Sequence, residues 1–231
     1  MNIQTLFQIA PFSVGMIAVI LIAHALLIQN TEIYNQLFFS TYRIQKLKEY
    51  HRIFTPFLVH SGWMHAALNC LALYYFGPVV ESSLGTFITS IIFIFSVAGG
   101  SLYSMWLRRF DSDYQAVGSS AGVSGLVMIS IYLQPNMGIG LFLIPVFIPA
   151  YIFGILFTLV SIVLTQSKDR NRISHEGHLG GLLIGGLVGT FLFWPLEYNE
   201  HQLLTVFGVV PMVLILFIHK EIEKWRKNKG Y

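Results

Sequence analysis

Apolar residues in this chain are gathered into long runs without charge, at about 12 to 29, 57 to 80, 86 to 107, 116 to 134, 147 to 166, 178 to 194 and 203 to 219. A helix needs roughly 20 such residues to cross the hydrocarbon of a bilayer. The pattern therefore predicts seven membrane-spanning helices, the fourth and sixth short or unusually polar. The first run carries Ala23-His24-Ala25, a small-x-small pattern, but no Lys or Arg precedes it, so this helix is expected to stay on the chain rather than be removed as a signal peptide. Connections are short except for Asn30 to Pro56, where Tyr34, Leu37, Phe38, Phe39, Tyr42, Ile44 and Leu47 alternate with basic residues. That mixture suits a loop lying at the headgroup level.

Composition sharpens the class. Of 231 residues, 55% are hydrophobic and 11% charged, which leaves too little polar surface for water and makes the bilayer the expected solvent. All 14 Lys and Arg fall outside the runs and in alternate connections. They occupy Arg43 to Arg52, Arg108 and Arg109, Lys168 to Arg172, and the tail from Lys220 to Lys229. The positive-inside rule places those loops and the tail in the cytoplasm. The net charge of +3 thus needs no nucleic acid to explain it. Cys70 is the single cysteine, so no intrachain disulfide can form. The expectation is one all-α polytopic domain over residues 1–231, with a core at about 11–195, an added C-terminal helix at 203–219 and a basic tail at 220–231.

Polar groups inside a span are costly and mark function by default. The second run opens with His60-Ser61-Gly62-Trp63-Met64-His65 and continues to Asn69; His65 and Asn69, four apart, share a helix face. The fourth opens with Gly118-Ser119-Ser120-Ala121-Gly122, and the sixth with His175-Glu176-Gly177-His178. With seven spans, the second, fourth and sixth helices run in the same direction, so the three clusters meet at one depth. A hydroxyl, imidazoles and a carboxamide are then gathered in one cavity. These are the parts needed for acyl transfer: an attacking oxygen, a base and donors for an oxyanion. Ser120 at a helix N-terminus also has free backbone N–H groups and the positive end of the dipole beside it. No Asp or Glu lies within any run, which points to a Ser-His dyad rather than a triad with a carboxylate. In the sixth run Gly181, Gly185 and Gly189 form one stripe where another helix can come close, and the fourth helix, with Ser120, Ala121, Ser124 and Gly125, is its natural partner.

These residues resemble the rhomboid family, whose pattern is HxxxN on the second helix, GxSG on the fourth and His followed by glycines on the sixth. Here they read His65 to Asn69, Gly118-Ser119-Ser120-Ala121 and His178-Leu179-Gly180-Gly181. The likeness extends to Tyr50-His51-Arg52, to Leu73-Tyr74-Tyr75-Phe76-Gly77, and to Val80-Glu81 with Leu84-Gly85, covering roughly residues 50 to 190. It implies a six-helix protease core with a seventh helix appended, cleaving other membrane proteins within or beside their transmembrane segments. Ser120 would be the nucleophile and His178 the base, with no cofactor or metal. The Ser120 N–H, His65 and Asn69 would form the oxyanion site, and His60 and Ser124 would be supporting residues. The partners implied are transmembrane protein substrates and the lipid bilayer, and the setting is a multi-pass position in a bacterial cell membrane. The resemblance also implies a catalytic face turned away from the cytoplasm, against the Lys/Arg count.

Gly122-Val123-Ser124-Gly125 is a second literal GxSG. Ser120 is preferred because it aligns Val117 to Leu126 with the family's VGASGAxxG pattern and sits shallower, nearer water. Ala121 then replaces the usual glycine and is expected to put a methyl group close to the oxyanion site. The remaining histidines, His24, His51, His201 and His219, are expected at headgroup level or in water. His175 and His178 are three apart, whereas zincin helices need four. A transporter kinked at Pro145, Pro149, Pro195 and Pro211 would show repeats and a buried acid, neither of which is seen. The alternative closest to a protease is a catalytically weak or inactive rhomboid-like protein that binds membrane helices.

Overall fold

A computed structural model of the chain describes residues 3–141, 144–165, 173–193 and 221. The seventh run at 203–219, the tail except Glu221, Lys168 to Arg172, Pro195, Pro211, His201 and His219 lie outside the described residues. The chain opens with a short helix α1 (Ile3–Ile9) and continues into α2 (Pro11–Leu27). The start of α2 is held from afar. The Glu81 carboxylate accepts from the Phe12 N–H at 2.7 Å, the Ser13 N–H at 2.9 Å and the Ser13 hydroxyl at 2.8 Å. It satisfies N–H groups that a helix start otherwise leaves open.

The long connection is built rather than loose: α3 (Thr31–Leu37), strand β1 (Phe39–Ser40), α4 (Thr41–Leu47) and two 3-10 turns at Tyr50–Ile53 and Thr55–Leu58. Arg52, 1% exposed, holds it by donating to the Phe38 carbonyl at 2.7 Å and the Asn35 carbonyl at 3.0 Å.

The second and third runs merge into α5 (Trp63–Leu107), broken at Gly85, where φ is +78°. Each arm is about 33 Å long, enough to cross a bilayer. Both ends of α5 approach the start of the next helix: the His65 ring faces Gly118, and Gly100 faces Ala121. The arms are therefore antiparallel, with the reversal at a glycine that tolerates positive φ. Glu81 corrects the expectation of carboxylate-free helices. It sits inside α5 at 2% exposure and is tolerated there because it has four donors, the fourth being the Thr86 hydroxyl at 2.8 Å.

Strand β2 (Gln115–Ala116) pairs antiparallel with β1, Phe39 opposite Ala116, and leads into α6 (Ser120–Leu133). Every residue of α6 from Ala121 to Tyr132 is buried. At 14 residues it is about 21 Å long, shorter than a hydrocarbon core of about 30 Å. Strands β3 (Gly138–Leu141) and β4 (Ile144–Pro149) form an antiparallel hairpin before α7 (Ala150–Leu164). Pro145 and Pro149 thus belong to that hairpin and kink no helix. The two small strand pairs qualify the all-α reading: they satisfy backbone groups of connections that approach an apolar solvent. Finally α8 (His175–Phe193) begins three residues before its apolar run, because the Ser174 hydroxyl caps it by accepting the Gly177 N–H at 2.9 Å.

The glycine stripe of α8 meets α6 as expected. A Cβ on Gly181 would stand 2.1 Å from the Ala121 carbonyl oxygen, and one on Gly185 2.5 Å from that of Gly125. The two backbones are in direct contact. Outward, the helices present Phe87, Phe95, Val163 and Phe191, all more than 60% exposed, a surface matched to lipid rather than water. Among the described residues α5 and α8 are long and apolar enough to span, and α2, α6 and α7 are shorter apolar helices.

Candidate active site

Ser120 stands at the first position of α6, half-buried. The segment leading to it is anchored on several sides. The Gly118 N–H donates to the Pro56 carbonyl at 3.0 Å, and Val117 bridges to Ile173. His60 Nε2 accepts the Ser119 N–H at 3.3 Å and lies 3.3 Å from the Ser119 hydroxyl. His60 is thus a backbone anchor for the residue before Ser120.

His65, in the first turn of α5, lies over Gly118. A Cβ there would be 2.7 Å from His65 Nε2 and 3.7 Å from Ser120 Oγ. His65 and Ser120 therefore flank the same small space, which only glycine leaves open. Gly118 also has φ of +116°, so backbone and contact demand the same residue. Nδ1 of His65 lies 3.1 Å from the Ser61 hydroxyl, while Nε2 is buried without a hydrogen-bond partner. Asn69 sits one turn further on and is buried; its Nδ2 donates to the His65 carbonyl at 2.9 Å. That carboxamide is engaged within its own helix.

His178 is in the first turn of α8, which rests on the first turn of α6 through Gly177, Gly181 and Ala121. Its ring stacks on Phe157 of α7 with centroids 5.2 Å apart, His175 meets it edge-on, and Nδ1 is 3.5 Å from the Ser161 hydroxyl. Nε2 is buried without a partner, so it is not hydrogen-bonded to Ser120 in this state. Catalytic hydrogen bonds often close only once substrate is bound. Between Ser120, Gly100, Ser104, Ser174 and Gly177 lies a cavity of about 20 Å³, room for about one water.

Side-chain direction bears on two expectations about α6. The Ser124 hydroxyl donates to the Ser120 carbonyl at 2.7 Å and the residue is 1% exposed, leaving it committed to its helix. The Ala121 methyl points at Gly100 and Gly177, where Cβ atoms would lie 2.6 and 3.8 Å from it. It fills a helix-packing position, and Ala121 also lines the small cavity beside Gly118 and Ser120.

Sequence reasoning missed a buried network behind the site. Glu176, 2% exposed, accepts from Arg108 Nε at 2.7 Å and from the Tyr114 hydroxyl at 2.7 Å. Tyr114 reaches Ser174 at 2.8 Å, Ser174 reaches Ser104 at 3.0 Å, and Arg108 donates to the Thr165 carbonyl at 2.6 Å. The only local signal was a carboxylate two residues before His178. His24 is also corrected: it is 2% exposed, packed edge-on to Trp63 at 4.6 Å. The last turn of α2 leans on the loop carrying His60, and burial there is a tertiary event.

A helical bundle dressed for lipid, with a half-buried serine at the start of its central helix and imidazoles from two neighbouring helix starts, defines the class. The chain belongs to the rhomboid family, since the Rhomboid domain matches residues 47–195. Among curated proteins, it is 27% identical over 157 residues to Rhomboid protein 1, mitochondrial, of Saccharomyces cerevisiae, covering 64% of this chain and 44% of that one. It is 24% identical over 202 residues to Rhomboid protease AarA of Providencia stuartii, covering 78% and 70%. With Rhomboid protease GluP of Bacillus subtilis it shares 27% over 153 residues, 64% of this chain and 27% of that one. The chain thus spans less than half the length of the yeast and Bacillus relatives.

Proposed function

We propose that this protein is an intramembrane serine endopeptidase of a bacterial cell membrane that cleaves transmembrane protein substrates. Its core would be six apolar helical segments: α2, the two arms of α5, α6, α7 and α8. The observation that carries the reading is Ser120 at the start of α6, facing the space that His65 also faces, with the unpartnered Nε2 of His178 on the adjoining helix start.

In this mechanism Ser120 Oγ attacks the scissile carbonyl carbon while His178 Nε2 takes its proton. Within this scheme the Ser161 hydroxyl near Nδ1 accepts its proton, which leaves Nε2 free as base. The carbonyl oxygen becomes an oxyanion held by the Ser120 N–H and by His65 Nε2–H. In this mechanism the Ser61 hydroxyl, 3.1 Å from Nδ1 of His65, donates to it and so goes with the proton on Nε2. Asn69 joins by rotating its carboxamide away from the His65 carbonyl. Collapse breaks the C–N bond, with His178 returning its proton to the leaving amine. Water, activated by the same base, then hydrolyses the acyl-enzyme.

The test is cleavage of a generic transmembrane substrate in liposomes by wild type and by Ser120→Ala, His178→Ala and Ser124→Ala, each shown to fold. Loss with the first two and retention with the third is expected. Retention in Ser120→Ala would move the site, and an inactive wild type would favour a protein that only binds membrane helices.

A further inference from the structure

His178 belongs to α8, but the contacts that fix its ring come from α7. The imidazole lies over Phe157 with centroids 5.2 Å apart and planes 27° from parallel, and its Nδ1 is 3.5 Å from the Ser161 hydroxyl. Phe157 and Ser161 are four apart, so one face of α7 supplies both contacts. On α6, the residue one turn after Ser120 is Ser124. It has no ring face to offer and spends its hydroxyl on the Ser120 carbonyl.

Phe157 is itself backed. Its ring stacks on Phe153 with centroids 5.8 Å apart and planes 7° from parallel, and the Phe153 ring lies 5.6 Å from that of Phe76 in the first arm of α5. Phe76 is buried. Four rings therefore run in series from α5 through α7 to the base. Between Phe153 and Phe157, α7 also comes close to α6, where a Cβ on Gly154 would stand 2.5 Å from Ile131 Cδ1.

These contacts decide something the helix cannot. The torsion that turns an imidazole about its Cβ–Cγ bond is broad and roughly two-fold, so a place on α8 does not by itself fix where Nε2 points. A ring face laid against the imidazole sets its plane and leaves two orientations, a half turn apart. The Ser161 hydroxyl separates them, because only one brings Nδ1 to it.

We infer that Phe157 is a positioning residue for the base, its ring face holding the plane of His178 from which Nε2 reaches Ser120 Oγ. This rests on the protease reading. Phe157 acts through His178 and takes no part in the bond changes.

Phe157 also packs on the buried cluster of Tyr103, Met128, Tyr132, Leu179 and Leu182, so the test separates the ring face from apolar filling. Phe157→Leu keeps an apolar side chain without the face, and Phe157→Tyr keeps the face. Ile162→Ala removes packing from the same cluster without touching the stack. Cleavage of a transmembrane substrate in liposomes gives kcat and KM, and thermal unfolding in detergent gives Tm.

An aromatic contact of this kind biases an orientation by a few-fold to about tenfold. Phe157→Leu is therefore expected to lower kcat about three- to tenfold with KM within about twofold, and Phe157→Tyr to restore most of it. Ile162→Ala should lower Tm with kcat within about twofold of wild type. In a cycle of Phe157→Leu with His178→Ala, read by Tm alone, the double variant should lose less than the two single losses added.

Wild-type kcat in Phe157→Leu, no rescue by tyrosine, or a kcat that falls with Tm alike in Phe157→Leu and Ile162→Ala makes Phe157 a filling residue and overturns the inference. Strict additivity in the cycle overturns it too, because the rings are then not in contact. A wild type that cleaves nothing while the cycle shows coupling overturns the protease reading, and the positioning role with it, while the ring contact stands.

Discussion

Replacing Gly181 by Ala measures how closely α6 and α8 are joined behind Ser120 and His178. The new Cβ would stand 2.1 Å from the Ala121 carbonyl oxygen and 2.9 Å from its carbon, whereas atoms rest at about 3.5 Å. The helices must part by more than about 1 Å. Alanine itself favours a helix over glycine by about 1 kcal/mol, and overpacking of this kind costs about 1–3 kcal/mol. For a chain of this size, each 1 kcal/mol is about 2–4 °C in Tm, so a fall of several degrees is expected. Ser120 is the neighbour of Ala121, and His178 lies one turn before Gly181. On the proposed mechanism a displacement of about 1 Å between them should lower turnover by about 10²-fold. Gly15→Ala is the control, since nothing lies within 4 Å of its Cβ and it keeps the helix gain without the clash. Both variants are followed by thermal unfolding in detergent and by substrate cleavage. If Gly181→Ala tracks Gly15→Ala in both, the backbones are not in contact and the reasoning fails.

Arg108→Gln strands the buried Glu176 carboxylate. Removing one partner of a buried pair costs about 3–5 kcal/mol, an upper figure here because the Tyr114 hydroxyl remains and Arg108 is partly exposed. The double variant Arg108→Gln with Glu176→Gln should recover part of the lost Tm, and strict additivity in that cycle would deny the coupling. Acid should also loosen the long connection. The hydrogen bond from Arg52 holds the Glu49 carboxyl below its usual value, so its contribution is complete above the ordinary carboxylate pKa of about 4.3 and is lost as pH falls through the lowered one. Wild type should therefore lose more Tm than Glu49→Gln between neutral pH and about pH 3, and equal losses would remove Glu49 from the account.

Much of the helix order was legible because a backbone in lipid must satisfy its own hydrogen bonds, so each apolar run from 12 to 194 announces a helix. The shared face of His65 and Asn69 and the stripe Gly181, Gly185, Gly189 followed from helical spacing alone. Tertiary structure decided what depends on partners distant in the chain. Glu81 and Glu176 read as carboxylates outside the spans, yet both are buried, because Ser13 in one case and Arg108 with Tyr114 in the other supply donors about 60 to 70 residues away. Ser120 and Ser124 carry the same local motif, and only the turn of one hydroxyl back onto its helix separates them. Spacing along a chain states which face a residue occupies; what that face meets is set by the other helices.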